Sequence, residues 1–206
     1  MDYPATRAER LLLVERLRTL PPQDWDRPSL CRGWTVRHVL AHLVTPFLVG
    51  RGSMAWTVLR ARSVSTAMDV KARELALRPT TELLDILESN ASSSFRPPGM
   101  PTTAPLTDAI AHSADIRWAI GDDLTDWGDP QRLRPMLEFL VGPRGRAGFI
   151  AAGRLRGVKF VATDLEWGHG TGAEARGPGL AIAMSILGRS VAYPLLDGRG
   201  ATALSR

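Results

Sequence analysis

The segment Thr35 to Phe47 constrains this chain more than any other. Val36, Val39, Leu40, Leu43 and Phe47 recur at three- and four-residue intervals, which places them on one face of an α-helix. Thr35 is a good N-cap, because its hydroxyl can accept from a first-turn amide. Trp34 before it is placed to pack on Val39 as a hydrophobic staple. A helix with one apolar face must bury that face against other elements, so the chain is committed to a packed helical core. Pro46 is expected to bend or end the helix. His42 lies on the flank of the apolar face and not at its centre.

The same period recurs on both sides. Thr6 to Leu20 carries Leu11, Leu12, Val14 and Leu17 near helical spacing, and Pro21-Pro22 stops it. One long helical stretch is expected from Ser53 to Leu77. Thr80 or Thr81 is expected to cap a further helix holding Leu83, Leu84, Ile86 and Leu87. The run from Ser92 to Pro101 is a loop. A helix then begins near Pro105 or Thr107 and ends at Gly121. Asp129-Pro130 supplies an N-cap and an N1 proline for one more, ending near Gly142.

The last third changes character. Val158 to Leu165 is β-branched and aromatic and reads as a strand. Gly168 to Gly172 reads as a turn, and Ala173 to Arg176 as a short return strand. Pro178 at N1 and Gly188 at C′ bracket an apolar helix. Such a unit cannot bury itself alone and needs the bundle or added strands to pack on. The expected division is a helical part over residues 1–142 and a small α+β module over 143–206, linked at Gly142-Pro143-Arg144-Gly145-Arg146.

Composition removes several functions. The chain has 206 residues, 44% of them hydrophobic, as a globular protein does. No apolar run approaches the roughly 20 residues that span a bilayer, and no signal region follows Met1, so a cytoplasmic location and no membrane partner are expected. Cys31 is the one cysteine, which excludes disulfides and multi-cysteine zinc sites. It precedes a helix start beside Arg32, where a thiolate is favoured, though a lone cysteine also serves as a small packing residue. The net charge is +5, but the 24 Arg and 2 Lys are scattered, so no nucleic-acid partner is expected.

The residues that carry chemistry are few. Asp108 and His112 stand four apart on one predicted helix and therefore share a face. Asp115 falls within about 20° of Asp108 on that face. An acid–imidazole–acid stripe on an apolar helix is costly to bury unless it is paired or liganded. His42, from another helix, can complete a set of two imidazoles and one carboxylate, which zinc, nickel and iron(II) all accept. Three protein ligands leave the open position of a catalytic site. Other assignments stay open: His38 and His42 are also four apart, Asp108 suits a helix entry, and Asp115 can pair with Arg117 or Arg37. His169 sits in the glycine-rich turn, at the surface or lining a cleft.

At these residues the chain resembles a known family. Ser29-Leu30-Cys31-Arg32-Gly33-Trp34-Thr35-Val36-Arg37-His38-Val39-Leu40-Ala41-His42-Leu43 is similar to a signature of the mycothiol-dependent maleylpyruvate isomerase family, within the DinB-like bundles. Asp108 to Gly121, and Lys159 to Arg176 with Ala181 to Arg189, resemble two further motifs of it. The resemblance implies a mainly α fold, a DinB-like four-helix bundle with a small C-terminal α+β module. It implies a divalent metal, usually zinc, on His42, Asp108 and His112, with mycothiol as thiol cofactor. Asp108 departs from the family pattern, which typically has Glu there. Arg189 matches a Gly-Arg of the family and is implied as an anion-holding or catalytic residue; a cation at a helix C-terminus is its ordinary role.

The activity so implied is that of an isomerase or S-transferase acting on a small, electrophilic, acidic substrate. A metal-binding bundle without catalysis, acting in stress response or regulation, is the alternative. A homodimer is compatible with either.

Overall fold

The chain leaves its first helix where two prolines forbid another turn. The structure, a computed structural model, describes residues 3–123, 129–151 and 153–204. Helix α1, Tyr3–Arg18, stops just before Pro21-Pro22, and a 3-10 turn at Pro22–Asp26 follows. Then come α2 (Val36–Leu48), α3 (Arg51–Ala61), α4 (Val64–Leu75), α5 (Thr80–Ser89) and α6 (Thr103–Ala119). By internal contacts the chain divides into two compact units, Met1–Phe95 with His112–Asp122, and Arg96–Ala111 with Asp123–Arg206.

In the first unit most of the apolar positions predicted from spacing meet in one core, but on α1 the buried face runs through Leu13 rather than Leu11 and Leu12, of which Leu12 is 46% exposed. Leu13, Val14 and Leu17 of α1 join Val36, Val39, Leu40, Leu43 and Val44 of α2, Leu83, Leu84 and Leu87 of α5, and Ile116 of α6. Burying each such side chain stabilises the fold by about 1.5–3 kcal/mol. Arg10 is the exception inside this core. Its Nη1 donates to the carbonyls of Asn90, Ala91 and Ser93 at 3.2, 3.1 and 3.3 Å, satisfying the C-terminal end of α5.

Pro46 lies inside α2, which ends two residues later at Leu48. One expectation changes here. The stretch from Ser53 to Leu77 is two helices. Arg62 turns left-handed at φ 53°, and Ser63 caps the restart by accepting from Thr66 N at 3.2 Å. A hydroxyl that satisfies a first-turn amide makes a break between two short helices affordable. Helix α3 has no buried residue and exposes Trp56 and Leu59.

The second unit holds α7 (Pro130–Val141), α8 (Pro143–Gly148), β1 (Val158–Ala162), β2 (Gly168–His169), β3 (Ala173–Gly177), α9 (Gly179–Ile186), a 3-10 turn at Ser190–Leu195 and α10 (Arg199–Leu204). Asp129 caps α7 as expected, accepting from Gln131 N at 2.9 Å. The supposed link at 142–146 is helical instead, since Pro143 supplies an N1 residue. Helix α7 packs on α8 and α9, whereas the sequence reading grouped 130–141 with the bundle.

The sheet has the order β2-β1-β3. Strand β3 is not a hairpin return: it runs parallel to β1, with Phe160 opposite Ala175. The reversal is made by β2, antiparallel to β1 with Phe160 opposite His169, so part of the expected turn is itself a strand. Gly170 and Gly172 take φ of +87° and +120°, and a Cβ at either would meet a backbone carbonyl oxygen at 2.3 Å. Only glycine permits that crossing. Helix α9, buried along its whole length, covers β1 and β3. Pro178 takes the N-cap position, one residue ahead of expectation. Among the described residues no helix is long and apolar enough to cross a membrane.

Candidate metal centre

The loop before α2 is closed by hydrogen bonds that fix the course of the chain through Cys31 and Trp34. Ser29 Oγ donates to Trp34 O at 2.9 Å and accepts from Cys31 N at 3.1 Å. Ser29 N donates to Trp34 O at 2.8 Å, Trp34 N to Cys31 O at 2.9 Å, and Val36 N to Arg27 O at 3.0 Å. Thr35 and His38 then form a capping box: Thr35 N donates to His38 Nδ1 at 3.3 Å, and Thr35 Oγ1 lies 2.8 Å from that nitrogen. Burial and the nearby Arg73 cation hold the His38 imidazole below its usual range, which keeps Nδ1 an acceptor.

His38 is thus engaged at the helix start, and among the described residues it belongs to neither group of three that could hold a metal ion. His42, one turn further along α2, faces His112. Their ring centroids lie 4.7 Å apart, edge to face. Asp108 is one turn before His112 on the continuous helix α6. His42, Asp108 and His112 each bring one ligand atom within 4.8 Å of the others. Imidazole nitrogen and carboxylate oxygen bond a zinc ion at about 2.0–2.2 Å. The donor set therefore fits a borderline divalent ion.

Trp34 is the neighbour that spacing did not disclose. Its ring lies 5.2 Å from that of His42 and 6.5 Å from that of His112. Its indole Nε1 donates to Asp69 Oδ1 at 2.6 Å. Arg73 also donates to Asp69, at 3.0 Å, and reaches Gly33 O at 3.0 Å. Those hydrogen bonds, from Arg73 and then Trp34, hold the Asp69 carboxyl below the usual carboxylate range. Nothing in the sequence links Trp34 to Asp69, because 35 residues and a helix break separate them.

The acid stripe of α6 splits in two. Arg117 binds Asp122 at 2.9 Å, and Arg37 approaches Asp26 at 3.7 Å. Asp115 Oδ2 lies 3.0 Å from His112 Nδ1 and accepts from Cys31 Sγ at 2.9 Å. Cys31, His112 and Asp115 form a second metal-capable group that shares His112 with the first. Arg189 follows α9, and its Nη1 donates to Leu187 O at 3.1 Å, the carbonyl-capping contact of a cation at a helix end. His169 stacks on Trp167 with centroids 6.3 Å apart.

His42, Asp108 and His112 thus form a group that could hold a metal ion, carried on helices of a mainly α fold. Residues 6–96 match the family model of the mycothiol maleylpyruvate isomerase N-terminal domain, which bears out the resemblance carried by the first motif. A solved structure of a histidine-to-alanine mutant of the mycothiol-dependent maleylpyruvate isomerase superposes with a TM-score of 0.63 at 12% identity. The match covers 96% of this chain and 91% of that one, so the shared fold extends through the C-terminal module. Comparison with curated proteins yields no match.

Proposed function

We propose that this protein is a divalent-metal-dependent enzyme that uses a small thiol of the mycothiol type as cofactor and acts on a small electrophilic, acidic substrate by isomerisation or S-transfer. The observation that carries the reading is the convergence of His42 and His112 with Asp108 one turn upstream. In this reading those three residues hold the metal, zinc by preference and nickel or iron(II) by the same chemistry. When bound, the ion supplies an open coordination position at which a thiol is deprotonated.

The chain's own residues do the rest. His42 and His112 set their rings edge to face, with centroids 4.7 Å apart. Trp34 lies beside both rings, and its own orientation is set by Asp69 and Arg73. Asp108 is shorter by one methylene than the Glu that the family resemblance implies, so α6 has to carry its carboxylate closer to the ion. Arg189 is the candidate to hold a substrate anion.

The test is thermal stability of the metal-loaded protein with and without mycothiol. A ligand at 100-fold its Kd stabilises by about 2.7 kcal/mol, a shift of several degrees for a chain of this size. We expect that shift in the parent protein and its loss in His42→Ala. Metal uptake with no thiol-dependent shift favours the non-catalytic, regulatory bundle. Less than about 0.2 equivalents of metal after titration removes the metal reading; that bound is set by the one ion per chain that three ligands specify.

A further inference from the structure

The metal reading leaves three buried or half-buried groups unexplained: Cys31, Asp115 and the second nitrogen of His112. Asp115 is fully buried, at 0% exposure. A carboxylate in such a place is costly unless its charge is matched and its oxygens accept hydrogen bonds. One oxygen, Oδ2, meets both neighbours, His112 Nδ1 at 3.0 Å and Cys31 Sγ at 2.9 Å. A carboxylic acid with its proton on Oδ2 would donate to one of them and accept from the other. An ionised carboxylate accepts from both, from a ring N–H and a thiol S–H. With the Asp115 carboxylate as acceptor to both, the proton between it and His112 sits on Nδ1, a nitrogen that Cys31 Sγ also approaches at 3.6 Å.

That proton placement has a consequence at the other side of the ring. With Nδ1 donating to a carboxylate, Nε2 is the nitrogen that keeps a lone pair, and the ring is held in one rotation. Metal-ligating histidines are oriented in this way by an outer carboxylate. We propose that Asp115 is the positioning residue of this centre, fixing His112 as the Nδ1–H tautomer with Nε2 presented as ligand. Cys31 is then the second donor to Asp115 and stays a thiol outside the coordination sphere. The loop bonds of Ser29 and the contact of Leu30 N with Asp115 O at 3.5 Å place it for that role. This assignment rests on the proposed metal site for its purpose, but the tautomer is a property of the protein before any metal binds.

The experiment has two independent arms. In the metal-free protein, long-range nitrogen–proton NMR of the imidazole, at a pH well above the usual imidazole value near 6.5, reads the tautomer directly. His112 is expected as Nδ1–H in the parent and as a changed tautomer mixture in Asp115→Asn. A parent His112 protonated at Nε2 overturns the proposal, whatever the metal does. In the second arm, cobalt(II) affinity is measured by chelator competition, well below the melting temperature of each variant.

Asp115→Asn is expected to weaken binding about 10–100-fold, the range for outer-sphere partners of metal ligands. Cys31→Ala, which disturbs the same carboxylate but leaves His112 held, should stay within a few-fold of the parent. No thiolate-to-cobalt charge-transfer band should appear. An unchanged affinity in Asp115→Asn overturns the proposal. So does a charge-transfer band that Cys31→Ala abolishes, since Cys31 would then be a ligand. A parent that binds no cobalt but shows the Nδ1–H tautomer refutes the metal reading while leaving the positioning of His112 by Asp115 established.

Discussion

Helices α2 and α3 are consecutive, similar in length and both rich in apolar residues, yet the fold treats them oppositely. Val36, Val39, Leu40, Ala41, Leu43, Val44 and Thr45 of α2 are buried, while no residue of α3 is. Helix α2 packs against α4, α5 and the 3-10 turn before it; α3 packs against α4. Trp56 and Leu59 remain 60% and 69% exposed. An apolar stripe thus states a capacity for burial, and the number of partners decides whether the capacity is used. The site histidine lies on the helix with the partners, where a side chain has little room to move.

That contrast can be broken most sharply at the metal. His112→Ala should lower divalent-metal affinity by more than the roughly 100-fold ceiling typical of outer-sphere changes, whereas Trp56→Ala on α3 should leave it unchanged. Isothermal titration with zinc checks both, and parent-like affinity in His112→Ala would remove this residue as a ligand. The next largest effect is in packing. Leu40→Ala should cost about 2–5 kcal/mol of stability, against about 0.5 kcal/mol or less for Leu59→Ala, as measured by urea unfolding. Equal losses at the two positions would mean that α3 is covered in solution.

A smaller effect is expected behind Trp34. Asp69→Ala removes the acceptor of the indole N–H and the partner of Arg73. A cost of about 1 kcal/mol follows from one charge-assisted hydrogen bond at a half-exposed site, read from the urea midpoint. Reduced quenching of Trp34 by its histidine neighbours should accompany the loss. The depressed Asp69 carboxyl also gives a pH signature. A group charged more readily in the folded state stabilises above its unfolded value near 3.9, and that contribution is lost as pH falls through the folded value.

The smallest effect concerns the start of α2. Because burial holds His38 below its usual range, the unfolded chain binds this proton more readily than the fold does. Its contribution is complete above about 6.5 and declines as pH falls toward the folded value. His38→Gln keeps a capping box, since Gln also reaches back to the N-cap amide. The variant should flatten that part of the pH–stability curve with little change at neutral pH. A curve that keeps the parent's slope would show that His38 is not the titrating group.

Local order was largely legible in the residues. Caps at Thr35 and Asp129, the proline stop after α1 and the apolar periods of α1, α2 and α5 all depend on contacts within a few residues. The break at Arg62 was not legible, because Ser53 to Leu77 keeps helical propensity throughout and one residue in a left-handed turn divides it. The parallel pairing of β1 and β3 was hidden for another reason. Strand spacing shows that segments pair, while the crossing at Gly170 and Gly172 decides the direction.

Spacing by itself put Asp108, His112 and Asp115 on one stripe of one helix, and put His42 on the flank of another. Those are angles about a single axis, and a helix of known period determines them. Only the tertiary structure decided the distances between axes. It brought His42 to His112, gave His38 to the helix cap, and placed Trp34 beside both rings. It also separated the two acids of the stripe, one within the candidate ligand set and one shared with Cys31. Those pairings join residues up to 84 positions apart, and no local rule connects them, because they are set by how packed helices and a stapled loop fill one core.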